Sequence, residues 1–599
     1  MNRLLRYPHT PPILLALLGG VFFFPYLGAV HLFDWDEINF AEIAREMIVL
    51  GDYLRVYIDY QPFWEKPPLF IWMQAGSMHL WGVGEYAARF PNAVCGVVSL
   101  LLLYRMGTRL HDRSFGLLWA GAYVGSVLPH LYFRSGIIDP WFNLFIFLGL
   151  YGLMVFVWRR QGQAAARYPL HPLAYLLGGG LVLGLAILTK GPVAYLLVAL
   201  TLFVYWLTVR LRLFVPVWAV VLYTLLALVV TLTWFGVETA RNGPWFMGEF
   251  IRYQYRLFST PDAGHKGFPG YHLVVLLVGC FPVSVFALRG LSRTGENDPV
   301  HRDVKHWMLI LLGVVVVLFS VVQSKIVHYS SLAYFPLSYL GALAAYRVRA
   351  GSIARPGWWV PLLAGIGGLF AVACVALPWV GMHPGWIRPW FAADPFAQAN
   401  LDAAVVWRAW DMLPGLWLPG VLIAGLAALR RGAIARAWGL LFGGTAVFVW
   451  LALAFYVGRI EAYSQRAAIE FFEARQGEDC YVATAGYKSY AQLFYTRKQP
   501  PAGVDLYGTV DLTQRTERPT GLASVDYWLA PPVPYFRPEA SRDLYWLLHG
   551  PVDKPVYIVC KLPRAADLLA GTPGLYELYR KNGFVFMRRE ALTAPEAGE

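Results

Sequence analysis

Charge is scarce in this sequence: 15% of its 599 residues are Asp, Glu, Lys or Arg, against 57% hydrophobic residues. With a mean hydropathy of +0.47, that balance excludes a soluble globular protein of this length. Cysteine is also sparse. Cys95, Cys280, Cys374, Cys480 and Cys560 are scattered and form no C-x-x-C pair, which removes a cysteine-based metal or redox centre. Cys480 and Cys560 share the less apolar C-terminal stretch, as either a disulfide or two core thiols. No basic tract with interleaved stacking aromatics occurs, so the net charge of +13 does not point to nucleic acid. There is no repeat and no low-complexity tract beyond an Ala, Pro and Glu tail after Leu592, which reads as disordered.

Long apolar runs dominate instead. A lipid-crossing helix needs roughly 20 mainly apolar residues, and about thirteen such segments can be placed, with cores near 12–31, 88–107, 114–132, 139–158, 172–188, 192–209, 215–237, 270–288, 306–322, 327–346, 358–379, 412–429 and 435–456. The first has no small-residue cleavage site after it and is expected to be retained. Every second connection is arginine-rich, as with Arg105, Arg109 and Arg113, then Arg159, Arg160 and Arg167, then Arg347 and Arg349. By the positive-inside rule these connections face the cytoplasm. The N-terminus is then expected inside and, with an odd span count, the C-terminus outside. The opposite connections are the long ones: 32–87, 239–269, 380–411 and everything after about 457.

The expected fold class is therefore an α-helical polytopic membrane protein with a small extracytoplasmic α/β domain at the C-terminus. Residues 1–457 form the membrane domain, with working loops 32–87 and 239–269, and residues 458–599 the outer domain. Within the latter, 480–484, 555–560 and 583–587 read as strands and 487–495 as a helix. A working face outside the cytoplasm removes nucleotide cofactors and nucleotide-sugars.

In the first outer loop, Asp34, Asp36 and Glu37 precede Phe40, Ile43, Met47 and Leu50 at helical spacing. This predicts a helix lying on the membrane surface with its apolar face down. Acidic residues at a helix start serve as caps in many proteins, but three of them at the mouth of a span also suit chemistry. The loop continues to Glu65, Lys66, Pro67 and Pro68, where two prolines fix the direction of the preceding side chains. A lysine held near the lipid interface is suited to a phosphate.

The Asp-Glu pair, the Ala-Glu-Ile-Ala-Arg-Glu-Met run, Glu-Lys-Pro-Pro and the segment Glu85 to Pro91 together resemble the bacterial aminoarabinose transferase family that modifies lipid A. That family is related to the protein O-mannosyltransferases and has the GT-C type of fold. The resemblance implies an inverting glycosyltransferase of the bacterial inner membrane, with its C-terminal domain in the periplasm. It would draw an aminoarabinose-like sugar from undecaprenyl phosphate and deliver it to lipid A or a related glycolipid within the bilayer. It assigns Asp36, with Glu37 beside it, and Asp139 to catalysis. Lys66, Lys190 and Lys325, with Tyr329, become the cradle for the carrier phosphate. Glu65 and His265 become ligands of one structural zinc ion, with His272 as the lesser alternative to His265. Where the family has an arginine and a tyrosine after the Asp-Glu, this chain has Asn39 and Phe40.

Two other readings stand beside this one. A protein hydroxyl as acceptor keeps the donor but demands a true base at Asp36. A lipid flippase or transporter would place its ionisable residues near the bilayer midplane, whereas here they cluster in outer loops.

Overall fold

The computed structural model describes residues 7, 9–259, 267–292, 298–352, 357–500, 544, 547–550 and 552–591. Among these, eight helices are long and apolar enough to cross a membrane: Glu85–Leu110, Asp139–Arg160, Pro172–Lys190, Val217–Asn242, Pro299–Val321, Trp359–Met382, Ala409–Arg430 and Ile434–Ala462. The pair Tyr271–Gly279 and Val283–Gly290, bent by 108°, adds a ninth if it is one span. Pro282 interrupts the hydrogen-bond ladder there, and Gly279 lets the two pieces close on Leu128, whose Cδ1 would lie 2.2 Å from an added Cβ. Thr10–Phe23 and Val193–Thr208 are shorter apolar helices. The remaining expected spans are broken, one into Arg113–Val124 and Val127–Tyr132, the other into a 3-10 turn Val327–Ala333 and the helix Tyr334–Arg349.

The first helix departs from expectation by stopping at Phe23 rather than near residue 31. Pro25 has no N–H with which to continue it, and the carbonyls left over at this depth need donors. Two arginines supply them. Arg134 donates to Phe22 O at 2.8 Å and Pro25 O at 2.5 Å. Arg89 donates to Leu27 O and Val30 O, both at 2.7 Å, and to His31 O at 2.9 Å.

The helix Asp36–Leu50 is also not where its periodicity put it. Every residue from Glu37 to Met47 is buried, including Glu42, Arg45 and Glu46, so it is enclosed on all sides rather than floating on a surface. Much of its charge is paired. Arg45 is bidentate to Glu42 at 2.7 and 2.6 Å, and Glu46 accepts from Tyr60 N at 2.9 Å in the hairpin formed by Tyr57–Ile58 and Gln61–Pro62. Gly51, at φ 64°, ends the helix in the left-handed conformation.

The C-terminal region encloses this helix. Among the described residues, four strands lie in the order Tyr481–Ala485, Val556–Lys561, Phe584–Arg589, Leu575–Lys581. The first pair is parallel and the others antiparallel. The strand Leu575–Lys581 and the helix Leu562–Gly571 have no counterpart in the sequence reading, because Arg580, Lys581 and the Arg564–Asp567 stretch dilute the apolar pattern. Cys480 and Cys560 are free thiols. The segment from Ser489 to Lys498 docks on the first loop. Tyr495 Oη accepts from Leu32 N at 2.7 Å, Asp34 accepts from the Ser489 hydroxyl, and Lys498 O accepts from Arg45 at 2.9 Å and Tyr60 Oη at 2.5 Å.

Arg89 also meets Glu37 bidentately, at 3.0 and 2.8 Å, with both side chains buried. Removing one partner of such a pair strands the other charge at a cost of about 3–5 kcal/mol. Arg89→Ala is therefore expected to lower the unfolding temperature of the purified protein well beyond the effect of Arg436→Ala in an arginine-rich connection, as read by thermal denaturation in detergent.

Candidate functional site

The ends of two packed helices create the centre of the site. Asp139 opens the helix Asp139–Arg160, followed by Pro140 in the first turn, and Lys190 closes the neighbouring helix Pro172–Lys190. A carboxylate at a helix start and an ammonium at a helix end both suit the macrodipole. The two side chains meet at 2.6 Å, with Asp139 Oδ1 accepting from Lys190 Nζ. Asp139 is 3% exposed, so this contact is desolvated on the carboxylate side.

Asp36, by contrast, is 41% exposed. It is joined to Asp139 by a residue that motif reading left without a role: His328 Nε2 lies 3.5 Å from Asp36 Oδ2 and 3.8 Å from Asp139 Oδ2. Its signal in the sequence was a cluster of polar residues, His328, Tyr329, Ser330 and Ser331, between two apolar segments. The 3-10 turn Val327–Ala333 carries both inward. Tyr329 lies under Lys190, whose Nζ is 5.2 Å from the ring centre, and within electrostatic reach of Lys66, Asp36 and Asp139.

Lys66 enters from the Glu-Lys-Pro-Pro turn. Its Nζ donates to Tyr253 Oη at 2.9 Å and stands 4.5 Å from the same ring's centre. Tyr253 belongs to the helix Trp245–Ser259, which lies over the turn and also brings Arg256 to 3.7 Å from Glu65 Oε1. Tyr253 is the second residue missing from the sequence reading; the strongly alternating charge and aromatic content of 249–256 was its signal.

Two expected site residues have other occupations. Glu37 is buried and saturated: besides Arg89, its carboxylate accepts from Phe33 N at 3.0 Å and Gly136 N at 2.5 Å. Burial pushes its carboxyl up, but the Arg89 charge and these hydrogen bonds outweigh that and hold it below the ordinary range. It is a structural anion, not a group that meets substrate. Lys325, 7% exposed, caps the end of the helix Pro299–Val321 by donating to Phe319 O at 2.9 Å, Ser320 O at 2.7 Å and Val322 O at 2.5 Å. An ammonium has three donors, and all three are used, so Lys325 has none left for a phosphate.

Of the expected zinc ligands, Glu65 faces Arg256, and His265 lies outside the described residues. His272 is fully buried beside Phe319 and Tyr271 and far from offering an open ligand face. Asn39 and Phe40, which stand in place of the family's arginine and tyrosine, are buried in the helix, with Phe40 edge-on to Phe70 at 6.0 Å.

The arrangement can therefore do three things. It holds two carboxylates on either side of an imidazole, it presents two lysines beside tyrosine side chains, and it leaves Asp36 open to a ligand.

Residues 65–235 match the family described as dolichyl-phosphate-mannose-protein mannosyltransferase. The undecaprenyl phosphate-α-4-amino-4-deoxy-L-arabinose arabinosyl transferase of Edwardsiella ictaluri is 27% identical over 62% of this chain and 66% of its own length. A second transferase of that name from Sodalis glossinidius is 29% identical over 63% of this chain and 67% of its own. The chain thus spans about two thirds of the curated relatives it matches. The crystal structure of ArnT from Cupriavidus metallidurans bound to undecaprenyl phosphate superposes with a TM-score of 0.68 at 20% identity, covering 97% of this chain and 98% of that one. Fold and site together define a membrane glycosyltransferase of the GT-C type. Within that class, the chain is similar to the aminoarabinose transferases.

Replacement of Lys325 by Met is expected to lower thermal stability by about 1–3 kcal/mol, because carbonyls lose their donors, and to leave the KM for a lipid-linked sugar donor unchanged. Lys66→Met should do the reverse, raising KM or lowering turnover with little change in unfolding temperature. His328→Ala should lower turnover about 10–100-fold in the same assay.

Proposed function

We propose that this chain moves an aminoarabinose-like pentose from an undecaprenyl-phosphate carrier to lipid A or a related glycolipid, on the periplasmic face of a bacterial inner membrane. The observation that carries this reading is the convergence of Asp36, Asp139 and Lys190 on His328 and Tyr329, with Lys66 at the edge of the same cluster. The arginine-rich connections lie on the other side of the spans. The positive-inside rule then puts the N-terminus in the cytoplasm and the site and C-terminal region outside, where a lipid-linked sugar is the donor at hand.

In a single displacement, an acceptor oxygen forms a bond to the sugar's anomeric carbon as the bond to the carrier phosphate breaks. The electron pair of that bond leaves with the phosphate. Lys66 is placed to meet the charge that grows on the leaving group, and Lys190 can shift part of its interaction from Asp139 toward it. Asp36, open to the ligand, orients the acceptor and faces the developing positive charge on the sugar. A phosphate acceptor is already ionised, so it asks for no strong base. His328 lies between the two carboxylates, 3.5 Å from Asp36 and 3.8 Å from Asp139.

The match to protein mannosyltransferases favours one second reading, with a protein hydroxyl as acceptor. That acceptor must lose a proton, and Asp36 with His328 would have to take it.

The test is to incubate the purified protein in lipid nanodiscs with a panel of polyprenyl-phosphate sugars and either lipid A or hydroxyl-bearing peptides, and to weigh the products by mass spectrometry. Lipid A is expected to gain one pentose mass increment, and Asp36→Asn to lose at least about 100-fold in rate. Transfer to peptide alone would establish the second reading. No transfer from any donor, with lipid movement across liposomes instead, would sink both.

A further inference from the structure

A separate cluster of ligating side chains lies at the seam between the membrane helices and the C-terminal region. His31 comes from the unwound stretch after the first helix, Glu85 begins the helix Glu85–Leu110, and Glu473 ends the helix Arg466–Glu473. One ligand atom from each falls within 4.8 Å of the other two. His31 Nε2 and Glu473 Oε1 are 3.8 Å apart, too far for a hydrogen bond. Two ligands of one tetrahedral zinc ion, each about 2.1 Å from it, sit roughly 3.4 Å apart. The spacing is thus that of groups sharing an ion, within a small side-chain adjustment.

The histidine is also prepared for this. Its Nδ1 lies 2.9 Å from Glu461 Oε1. A carboxylate only accepts, so Nδ1 carries the proton and Nε2 presents its lone pair toward Glu473. A carboxylate behind an imidazole in this way orients ligating histidines and raises their basicity. Glu461 is fully buried and held in turn by Arg466 Nε at 2.6 Å. Tyr495 stands edge-on to the imidazole at 5.5 Å and 90°, fixing the plane of the ring. Arg466 thus answers the charge of Glu461. Arg497 acts on Glu85 and Glu473 through space but forms no ion pair with either among the described residues.

We propose that His31 Nε2, Glu85 and Glu473 bind one divalent transition-metal ion of the zinc class, with Glu461 as the carboxylate that orients His31, and that this ion clasps the C-terminal region to the membrane domain. One imidazole and two carboxylates leave a fourth position for water, a set suited to zinc or cobalt rather than to calcium or magnesium. The clasp is distinct from the family's Glu65 and His265 pair and independent of the transfer chemistry. It supplies a crosslink at a seam where no cysteine pair does so.

The test uses the full chain, freed of any histidine tag, stripped with chelator and dialysed against zinc buffered at micromolar free concentration. Bound metal is measured by mass spectrometry and unfolding by a thermal scan. To silence the family pair, all variants carry Glu65→Ala and His265→Ala. In that background one equivalent of zinc is expected, together with a zinc-dependent rise in unfolding temperature. His31→Ala and Glu473→Gln should lose both, and Glu461→Gln should weaken zinc affinity about 10–100-fold. Absence of zinc in the background protein, or retention of a full equivalent by folded Glu473→Gln and His31→Ala, overturns the proposal. So does an unfolding temperature that falls in those variants by the same amount with and without zinc, since that marks a protonated His31 in an ordinary ion pair.

Discussion

The pairing of Glu37 with Arg89 is the contact on which the site-bearing end of this protein depends. One guanidinium engages both oxygens of a buried carboxylate and three carbonyls of the chain that leaves the first helix, while the carboxylate reaches back to Phe33 and across to Gly136. Four pieces of chain therefore share a single charge pair: the unwound end of the first helix, the start of the enclosed helix, the second span, and the turn that leads to Asp139. Such a pair is weak as a source of net stability because both ions are desolvated. It is strong as a constraint, since no rearrangement of one piece leaves the other three satisfied. Asp36 precedes Glu37 by one residue and Asp139 follows Gly136 by three, so the pair sets the separation of the two carboxylates that the site needs.

Lysines on the same side of the bundle divide by what they touch. Lys190 meets Asp139, Lys66 meets a tyrosine hydroxyl, and Lys325 is consumed by the carbonyls of a helix end. Sequence position placed all three together; only the donors' partners separate them. An ammonium that satisfies three carbonyls has lost the flexibility and the solvation that make lysine useful toward a phosphate.

Much of the fold was legible because lipid imposes a simple rule. Twenty apolar residues and alternating arginine leave few alternatives, and a helical element occurs near each expected span. The failures have local causes. Pro25 ended the first helix early, where hydropathy continued undisturbed. The helix Asp36–Leu50 carries an amphipathic pattern, yet its charges pair with one another and with the C-terminal region, so burial on all sides was invisible to periodicity. The strand Leu575–Lys581 is an edge strand with mostly exposed side chains and had too little apolar signal. At the site, Asp36, Lys66, Asp139, Lys190 and Tyr329 were readable as residues in motifs. The bridging position of His328 and the contact of Tyr253 required knowing which turn faces which, and no spacing within one segment encodes that.

The docking of residues 489–498 onto the first loop has a consequence for the order of synthesis. Leu32 and Tyr495 are 463 residues apart, and Asp34 and Ser489 are 455 apart. The loop that carries Asp36 leaves the ribosome more than 450 residues before the segment that covers it. Through nearly the whole of membrane insertion, Leu32 N and Asp34 must be satisfied by water or by lipid head groups. A chain shortened before residue 489 would hold its spans and the Glu37–Arg89 pair but leave this loop uncovered, so synthesis of the 489–498 segment converts an inserted bundle into a covered site.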